Sequence, residues 1–327
     1  MTSQDNTPLL SICIPTYNRS SYLHDALESI AQQLTDKHLA EQVEVIVSDN
    51  ASTDDTETVA RSFTNKINHL TYYKNEANLG FDLNVDNAVR HASGTYCWYL
   101  GDDDIIVNGA LAHMLTQCAK NTYAIISTTS QEITERDSKV FLQKITYTDA
   151  DMFTSSDPNE SYTQNYYPSA LSLLAFRRDA WLNAADIQNH TPGWYYFETI
   201  LRLAIAATDP TLHIKKPMVL TGQDCRWADN GQGMQIFIDC NIFLRKMIDW
   251  GYNQTRTEQE LSGNARQFPL VLLQAKARGL PVTWENFRLM RSYTRHIPWH
   301  LRSIGDMLFC IPNIFIKIIR DLKKSIT

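Results

Sequence analysis

The stretch that decides the fold lies near the N-terminus, where residues 9–19 read LLSICIPTYNR. The first six residues are almost all apolar and Pro15 ends the run, a pattern typical of a strand buried on both faces of a parallel sheet. The polar residues 16–19 then fall at the carboxyl end of this strand. Ligands of open α/β sheets bind at the carboxyl ends of the strands. The stretch therefore predicts a central strand and one part of a binding site.

Strand-like and helix-like segments alternate through the residues that follow. Strands are predicted at 43–48, 70–73, 95–100 and 124–128, and helices at 20–34, 52–63, 83–91 and 107–119. Either Ser52 or Thr53 is expected to cap the second of these helices. Such alternation predicts an α/β fold, with a mostly parallel central sheet covered by helices on both faces.

The pattern changes in the second half of the chain. Residues 131–168 show no clear period and are expected to form an insertion with strand pieces, before strands at 170–176 and 213–220 and a helix at 194–207. A glycine-containing polar loop is predicted at 222–233. Beyond it the periodicity is helical, at 235–250, 257–277, 284–295 and 311–324. We therefore predict two domains, an α/β domain at 1–231 and a helical region at 232–327.

Charge is distributed unevenly along the chain. The 327 residues carry a net charge of −6, which argues against a nucleic-acid-binding protein. The last forty residues carry +6 and the remainder −12. On a helical wheel, residues 311–324 oppose an apolar face to a basic one. This arrangement predicts that the tail, residues 299–327, binds an anionic membrane surface, unless it packs its apolar stripe on the body.

Several features bear on location. The N-terminal residues 1–8 are polar and lack the apolar core of a signal peptide. The longest uncharged apolar stretch of the tail, 307–316, is too short to span a bilayer. The six cysteines lack metal-binding spacing and are expected to be reduced thiols. We expect a cytoplasmic protein, peripheral to the inner face of the plasma membrane.

Polar clusters follow three of the predicted strands. Residues 16–19 follow the first, Asp49 and Asn50 the second, and residues 102–104, three aspartates, the fourth. Carboxylate oxygens are ligands that Mg²⁺ and Mn²⁺ prefer. Neither glycine-rich phosphate motif, GxxxxGK[ST] or GxGxxG, is present, so a phosphorylated substrate would need such a metal. The alternative is that the three aspartates cap the next helix in a solvated turn.

Four linked motifs together resemble the family 2 glycosyltransferases. They are SICIPTYNR at 11–19, VSDNASTDDT at 47–56, NEANLG at 75–80 and GTYCWYLGDDD at 94–104. The four motifs are most similar to those of bacterial O-antigen glycosyltransferases such as abequosyltransferases. The resemblance implies the GT-A fold, a Rossmann-like, mostly parallel sheet with flanking helices. It also implies transfer of one sugar, with inversion, from a nucleoside-diphosphate sugar to a hydroxyl of a glycan or polyprenyl-linked glycan, using Mn²⁺ or Mg²⁺.

The resemblance also implies roles for individual residues of the donor site. Thr16 and Tyr17 would line the pocket of the nucleotide base, shaped by Pro15, and Asp49 would bind the base or ribose. The aspartates after the fourth strand would divide between ribose and metal, with Asp102 toward the ribose and Asp103 and Asp104 toward the metal. Gly101 stands where the family has a first acid, which leaves the division of labour among the three aspartates open.

The resemblance also implies a carboxylate general base about ninety residues after the metal site, at the start of a helix. Glu198 fits that place, and would accept the proton of the acceptor hydroxyl. The alternative is an exposed acid of the first helical turn. Residues 223–227, QDCRW, match the QxxRW pattern of processive members, but no transmembrane helix is expected here. The resemblance then implies the family's mobile active-site loop, and the alternative is an ordinary surface loop. On the first interpretation Arg226 contacts the diphosphate, and Trp194 and Trp227 contact the acceptor.

Two rival functions remain at this stage. A sugar nucleotidyltransferase has a similar nucleotide fold and an acidic metal site, but it normally carries a glycine-rich, basic loop after the first strand. This chain has PTYNR there, at 15–19. The second rival is a non-catalytic glycan-binding protein built on a transferase fold.

Overall fold

The computed structural model describes residues 7–133, 144–164, 167–168, 170–222, 233–277, 282–295 and 297–312. The chain divides into two compact units, Met1–Asp224 and Cys225–Thr327. The described strands all belong to the first unit. They are β1 (Leu10–Thr16), β2 (Val43–Asp49), β3 (Leu70–Lys74), β4 (Tyr96–Tyr99), β5 (Ile105–Ile106), β6 (Ile125–Ile133), β7 (Met152–Ser155), β8 (Leu174–Arg177) and β9 (Thr211–Gly222).

The described strands form one mixed sheet in the order β3-β2-β1-β4-β8-β6-β9-β5, with β7 paired to β9. The first four strands in this order are mutually parallel, whereas β8 is antiparallel to both β4 and β6. All seven residues of β1 and all seven of β2 are buried. The apolar run of β1 predicts this, whereas β2 also buries the polar residues Glu44, Ser48 and Asp49.

Helices cover the sheet of the first unit. They are α1 (Ser20–Ala31), α2 (Lys37–Gln42), α3 (Thr56–Ser62), α4 (Phe81–His91), α5 (Ala110–Lys120), α6 (Pro158–Thr163), α7 (Arg178–Ala184) and α8 (Tyr195–Ala206). In α1 the side chains of Leu23, Leu27 and Ile30 are fully buried in the same apolar core as β1. Their spacing of three and four residues is the helical period that the sequence shows.

The predicted start of α3 is wrong. Neither Ser52 nor Thr53 caps this helix, which begins at Thr56 with Asp55 as its N-cap residue. The amide of Ser52 donates instead to Asp49 Oδ1 at 2.8 Å, and the amide of Thr53 donates to Asn18 Oδ1 at 2.8 Å. Tertiary hydrogen bonds therefore hold this segment as a loop.

The segment after the three aspartates also differs from the prediction. Ile105 and Ile106 form the short strand β5, which pairs with β9, and α5 begins only at Ala110. Gly109 precedes the helix with φ of 90°, a left-handed backbone conformation that glycine adopts without strain. The three aspartates are consequently not helix caps, and that alternative is excluded.

The described part of the second unit is helical. Its helices are α9 (Gly233–Asp249), α10 (Gln254–Ala265), α11 (Phe268–Ala277), α12 (Trp284–Ser292) and α13 (Trp299–Cys310). The single helix predicted at 257–277 is two helices, since Pro269 fits the first turn of a new helix and not the interior of a long one. No described helix is long and apolar enough to cross a membrane. The predicted domain boundary at 232 and most of the predicted helix at 311–324 lie outside the described residues.

Candidate active site

The carboxyl ends of β1, β2 and β4 lie at one edge of the sheet, because the three strands are parallel. Thr16 at the end of β1 is paired in register with Asp49 at the end of β2. Thr16 Oγ1 also donates a hydrogen bond to Asp102 Oδ2 at 2.8 Å. The polar residues that follow the three strands therefore meet in one place, as expected of a ligand site in an open α/β sheet.

Asp102 is the buried member of the acidic cluster, with 5% of its surface exposed. It accepts hydrogen bonds from the Thr16 hydroxyl and from Arg19 Nη1, the latter at 2.9 Å. Burial raises the pKa of the Asp102 carboxyl to about 6, because desolvation outweighs the lowering effect of the Arg19 charge. The neighbouring charge of Asp103 raises this pKa further.

The other two aspartates point to different partners. Asp103 Oδ2 accepts from Arg19 Nη2 at 3.1 Å, and 22% of its side chain is exposed. Asp104 accepts a hydrogen bond from the Ser172 hydroxyl, whose oxygen in turn accepts from the Gly101 amide at 2.7 Å. The 3-10 turn Leu171–Leu173 therefore holds Asp104, while Arg19 holds Asp102 and Asp103.

Gly101 occupies a crowded position between these side chains. A Cβ atom there would lie 3.0 Å from Asp104 Oδ2 and 3.2 Å from Asp103 Oδ1. Both distances are shorter than ordinary van der Waals contact. A side chain at position 101 would therefore require the carboxylates of Asp103 and Asp104 to shift by a few tenths of an ångström.

The donor set fits a divalent cation that is shared with a substrate. Asp103 and Asp104 offer hard oxygen ligands beside the more buried Asp102. Among the described residues, no group of three or more His, Cys, Asp or Glu side chains is arranged to hold a metal by itself. Mg²⁺ and Mn²⁺ sites of transferases use one or two carboxylates and complete the coordination with substrate phosphates and water. The carboxylates fit this open kind of site, and the assignment of Asp103 and Asp104 as ligands stays a prediction.

Arg19 is a site residue to which the sequence analysis assigned no role. Its guanidinium bridges Asp102 and Asp103 and lies 4.8 Å from the centroid of the Tyr22 ring. Burial, the largest single effect, lowers the pKa of Arg19, but the charges and hydrogen bonds of Asp102 and Asp103 together outweigh it and raise this pKa. The available signal was its position, directly after the strand end that carries Thr16.

Asp49 is fully buried at the end of β2. Its Oδ1 accepts from the Ser52 amide, and its Oδ2 accepts from the Tyr72 hydroxyl at 2.5 Å. Tyr72, on β3, is a second residue that sequence reasoning missed. At the end of β1, Pro15 is buried, and Tyr17, which follows the strand, is 43% exposed. The base pocket that Pro15, Thr16 and Tyr17 would line and the contact of Asp49 with base or ribose stay predictions.

A network of asparagine side chains fixes the loop before α4. Asn50 Nδ2 donates to Asn78 Oδ1 at 2.8 Å, and Asn50 Oδ1 accepts from the Leu79 amide at 2.8 Å. Asn84 Nδ2 donates to the Ser48 carbonyl at 2.9 Å. Side-chain hydrogen bonds thus join the motifs at 47–56 and 75–80 into one polar network.

Glu198, the predicted base, lies in the first turn of α8 with 3% of its surface exposed. Its Oε1 accepts a hydrogen bond from the Thr191 amide at 3.2 Å. Tyr195, Tyr196 and Phe197 beside it are buried as well. The alternative of an exposed first-turn acid is therefore wrong. Trp194, the N-cap residue, packs edge-on against Phe197, with 6.1 Å between the ring centroids.

Asp82 of α4 positions the segment that leads into α8. Its Oδ2 accepts from the Gly193 amide at 2.6 Å and pairs with His190 Nε2 at 3.0 Å, and its Oδ1 accepts from the Tyr195 amide at 3.3 Å. One turn later, Asp86 accepts from the Tyr195 hydroxyl at 2.5 Å. Sequence reasoning missed both aspartates, although their spacing of four residues places them on one face of a helix.

Arg226 and Trp227 lie outside the described residues. Their predicted contacts with the diphosphate and the acceptor stay predictions.

Comparison with known sequences identifies relatives. The model of the family described as glycosyl transferase family 2 matches residues 11–177. An abequosyltransferase, RfbV of Salmonella typhimurium, is 29% identical over 254 residues, which cover 74% of this chain and 75% of the relative. A GalNAc(5)-diNAcBac-PP-undecaprenol beta-1,3-glucosyltransferase of Campylobacter jejuni is 35% identical over 118 residues, 36% of each chain.

Solved structures show the same fold. S. aureus TarS 1-349 in complex with UDP-GlcNAc matches with a TM-score of 0.64 at 16% identity, over 90% of this chain and 83% of that one. The mannosyltransferase PcManGT of Pyrobaculum calidifontis, in complex with GDP-Man and Mn²⁺, matches with a TM-score of 0.54 at 16% identity, over 97% and 87%. The predicted GT-A fold class is confirmed.

Proposed function

The chain belongs to glycosyl transferase family 2 and is a glycosyltransferase, and from this premise we propose which transfer it performs. It moves a single sugar from a nucleoside-diphosphate sugar to a hydroxyl of a glycan or polyprenyl-linked glycan in the synthesis of a bacterial surface polysaccharide. The observation that carries the proposal is the meeting of Thr16, Arg19, Asp102 and Asp103 at the carboxyl ends of β1 and β4. The name of the Salmonella relative, an abequosyltransferase, supports the transfer of a single sugar. The name of the Campylobacter relative, which acts on an undecaprenol-linked glycan, supports a lipid-linked acceptor.

The donor binds along the ends of β1, β2 and β4. Its base lies against Tyr17, above the buried Pro15 and Asp49, and its ribose lies toward Asp102. A divalent cation, when bound, stabilises the negative charge that develops on the leaving diphosphate. Asp103 and Asp104 are the carboxylates that hold it, and Arg226 contacts the same diphosphate. The Mn²⁺ named with the mannosyltransferase structure supports a divalent cation as cofactor.

Glu198 removes the proton of the acceptor hydroxyl. A general base must lie within hydrogen-bonding reach of that hydroxyl, on the side opposite the leaving group. This geometry leads to inversion at the anomeric carbon, as the family resemblance implies. Trp194 and Trp227 flank the acceptor sugar. The buried aromatic residues around Glu198 keep water away from the carboxylate.

The protein works at the inner face of the plasma membrane, where residues 299–327 hold it on an anionic surface. Support comes from α13, on which Trp299 is 76% exposed and Met307 66% exposed. The remaining support is the basic character of the sequence beyond the described residues.

Family membership favours sugar transfer over the nucleotidyltransferase alternative. The remaining alternative, a protein that binds glycans without catalysis, is tested by experiment. UDP-, CDP-, GDP- and dTDP-sugars are screened by thermal shift with Mn²⁺, because a bound ligand raises the melting temperature by mass action. Transfer by Asp103→Asn and Glu198→Gln is then compared with transfer by Asp209→Asn. Asp209 pairs with Arg177 beyond the start of β4 and is the matched control.

We expect Glu198→Gln to lose about 100-fold or more in kcat while keeping the thermal shift of the donor. Asp103→Asn loses both transfer and the dependence of the thermal shift on Mn²⁺. Asp209→Asn behaves as the unchanged protein. Full transfer activity in both Asp103→Asn and Glu198→Gln would refute the site assignment.

A further inference from the structure

Arg19 already supplies positive charge where the proposed cation would act. Its Nη1 lies 2.9 Å from Asp102 Oδ1 and its Nη2 lies 3.1 Å from Asp103 Oδ2. The two carboxylates are close like charges, of which Asp102 is almost fully buried. An arginine fork that bridges both offsets their repulsion by charge-assisted hydrogen bonds.

The backbone around Arg19 is fixed on both sides. The amide of Asn18 donates to Ser52 Oγ at 2.8 Å, and the amide of Ser20 donates to Asp54 Oδ2 at 3.0 Å. The side chain is held by two ion pairs and by the Tyr22 ring, but it is 20% exposed and its buried Nε has no hydrogen-bond partner. Movement of the guanidinium needs only rotation about the side-chain bonds and does not require the backbone hydrogen bonds of Asn18 and Ser20 to break.

We propose that Arg19 is a displaceable counter-ion of the donor site. It neutralises Asp102 and Asp103 before the substrate arrives, a divalent cation competes with it for Asp103, and the released guanidinium then binds the diphosphate of the donor. The proposal rests on the proposed function and adds a donor-binding residue to it. It follows from competition: a guanidinium and a divalent cation on the same carboxylate repel each other, so binding of one weakens binding of the other, and a freed arginine favours bidentate contact with phosphate.

Arg177 provides a closely matched control. It also bridges two aspartates, Asp209 at 2.9 Å and Asp179 at 3.1 Å, and 28% of its side chain is exposed. Its Nε is likewise buried without a partner. Arg177 is paired with Tyr96 at the start of β4, whereas Asp102 follows the end of that strand. Arg177→Met therefore removes the same kind of bridge far from the donor site.

The experiment measures Mn²⁺ binding to the free protein by calorimetry and by the electron paramagnetic resonance signal of free Mn²⁺. Binding of UDP, CDP, GDP and dTDP is then measured in parallel at saturating Mn²⁺. We expect Arg19→Met to bind Mn²⁺ about tenfold more tightly without nucleotide, because the competitor is gone. The same variant binds the nucleotide preferred by the unchanged protein about tenfold more weakly. Arg177→Met changes neither affinity.

The opposite results are equally clear. Mn²⁺ affinity of Arg19→Met equal to or below that of the unchanged protein overturns the proposal, and so does an unaltered nucleotide affinity. Arg19→Gln, which keeps a hydrogen-bond donor, is measured beside it in case circular dichroism shows that Arg19→Met is not folded. If the unchanged protein transfers sugar while both variants keep its Mn²⁺ affinity, the proposed function stands and the role of Arg19 falls. If the unchanged protein binds neither Mn²⁺ nor any of the four nucleotides, both fall.

Discussion

The pair formed by Asp49 and Tyr72 illustrates how single hydrogen bonds support the donor site. Burial, followed by the hydrogen bond to Asp49, raises the pKa of the Tyr72 hydroxyl far above its usual value. The hydroxyl therefore stays a donor. Tyr72→Phe leaves Oδ2 of a buried carboxylate without this donor, which we expect to lower the free energy of unfolding by about 1–3 kcal/mol. Urea denaturation measures the change.

Tyr73→Phe is the control for this prediction. Tyr73 is 37% exposed and its ring stacks on His91 with 3.7 Å between centroids, a contact that phenylalanine keeps. We expect its stability to change by less than about 0.5 kcal/mol. Equal stabilities of the two variants would show that Asp49 does not depend on Tyr72.

His213 makes stability depend on pH. It is buried on β9 near Ser161, Tyr167 and Phe153, and burial lowers the pKa of its imidazole from 6.5 to about 4. A depressed pKa means that the unfolded chain binds the proton more readily, so this contribution is complete above pH 6.5 and is lost as the pH falls toward 4. At pH 5 the loss is about 2 kcal/mol. His213→Gln is expected to remove this part of the pH dependence, measured by denaturation between pH 4.5 and 7.5.

An exposed histidine supplies the comparison for His213. His69 lies on the surface before β3, and His69→Gln should leave the slope of stability against pH unchanged. A His213→Gln protein with the slope of the unchanged protein would mean that His213 is not the group that titrates.

At the scale of secondary structure elements, α4 controls the start of α8. Asp82 accepts hydrogen bonds from the amides of Gly193 and Tyr195, which places an anion at the N-terminus of the helix that carries Glu198. We expect Asp82→Ala to lower kcat about tenfold with little change in the KM for the donor. Hydrogen exchange of the amides at 191–198 is expected to accelerate in the same variant.

The control for Asp82 is another capping aspartate. Asp36 accepts from the His38 amide at 2.8 Å at the start of α2, so Asp36→Ala also removes a helix cap. It should leave kcat and the exchange of residues 191–198 as they are. Donor KM rising in proportion to the loss of kcat in Asp82→Ala would assign Asp82 to donor binding instead.

Elements defined by local pattern were predictable, whereas elements defined by distant partners were not. Strands β1 and β2 follow from their apolar runs, and α1 follows from its helical period. Strand β5 is two residues long and exists through its pairing with β9, more than a hundred residues away. The same limit applies to the site. The places of Thr16 and Asp102 at the ends of strands predict that they belong to the site. The bridge from Arg19 to Asp102 was not predictable, because it depends on the tertiary hydrogen bonds that hold the loop after β1.

At the scale of the whole molecule, apolar surface is concentrated in the second unit. Among the residues that the structure describes in this unit, the exposed large apolar side chains are Leu270, Leu273, Trp284, Leu289, Trp299, Ile304 and Met307. Three of them, Trp299, Ile304 and Met307, lie on α13. These three side chains and the +6 charge of the last forty residues of the sequence are the observations on which the proposed binding of anionic lipid rests.

Helix α13 is also part of the core of its unit, which affects how the membrane proposal is tested. A Cβ atom at Gly305 would lie 2.1 Å from Phe268 Cε1, so the helix packs closely against α11. The buried Lys276 donates to the carbonyls of Phe309 and Ile311 at 2.7 and 2.6 Å, at the end of α13. Deletion of residues 299–327 would remove these contacts and expose the core. Substitutions on the outer side of α13 are the better test.

We therefore predict that Trp299→Ser combined with Met307→Ser weakens binding to anionic vesicles several-fold, because it removes two exposed apolar side chains and leaves Gly305 and Lys276 in place. Flotation with phosphatidylglycerol vesicles measures the bound fraction at low and high salt.

Leu270→Ser combined with Leu273→Ser, on α11, is the control for the loss of exposed apolar surface in general and should float like the unchanged protein. Salt should release the unchanged protein, because screening weakens the attraction of a basic tail to anionic headgroups. Equal flotation of both double variants would place the lipid contact elsewhere, and an unchanged protein that stays at the bottom of the gradient would rule out membrane binding through this tail.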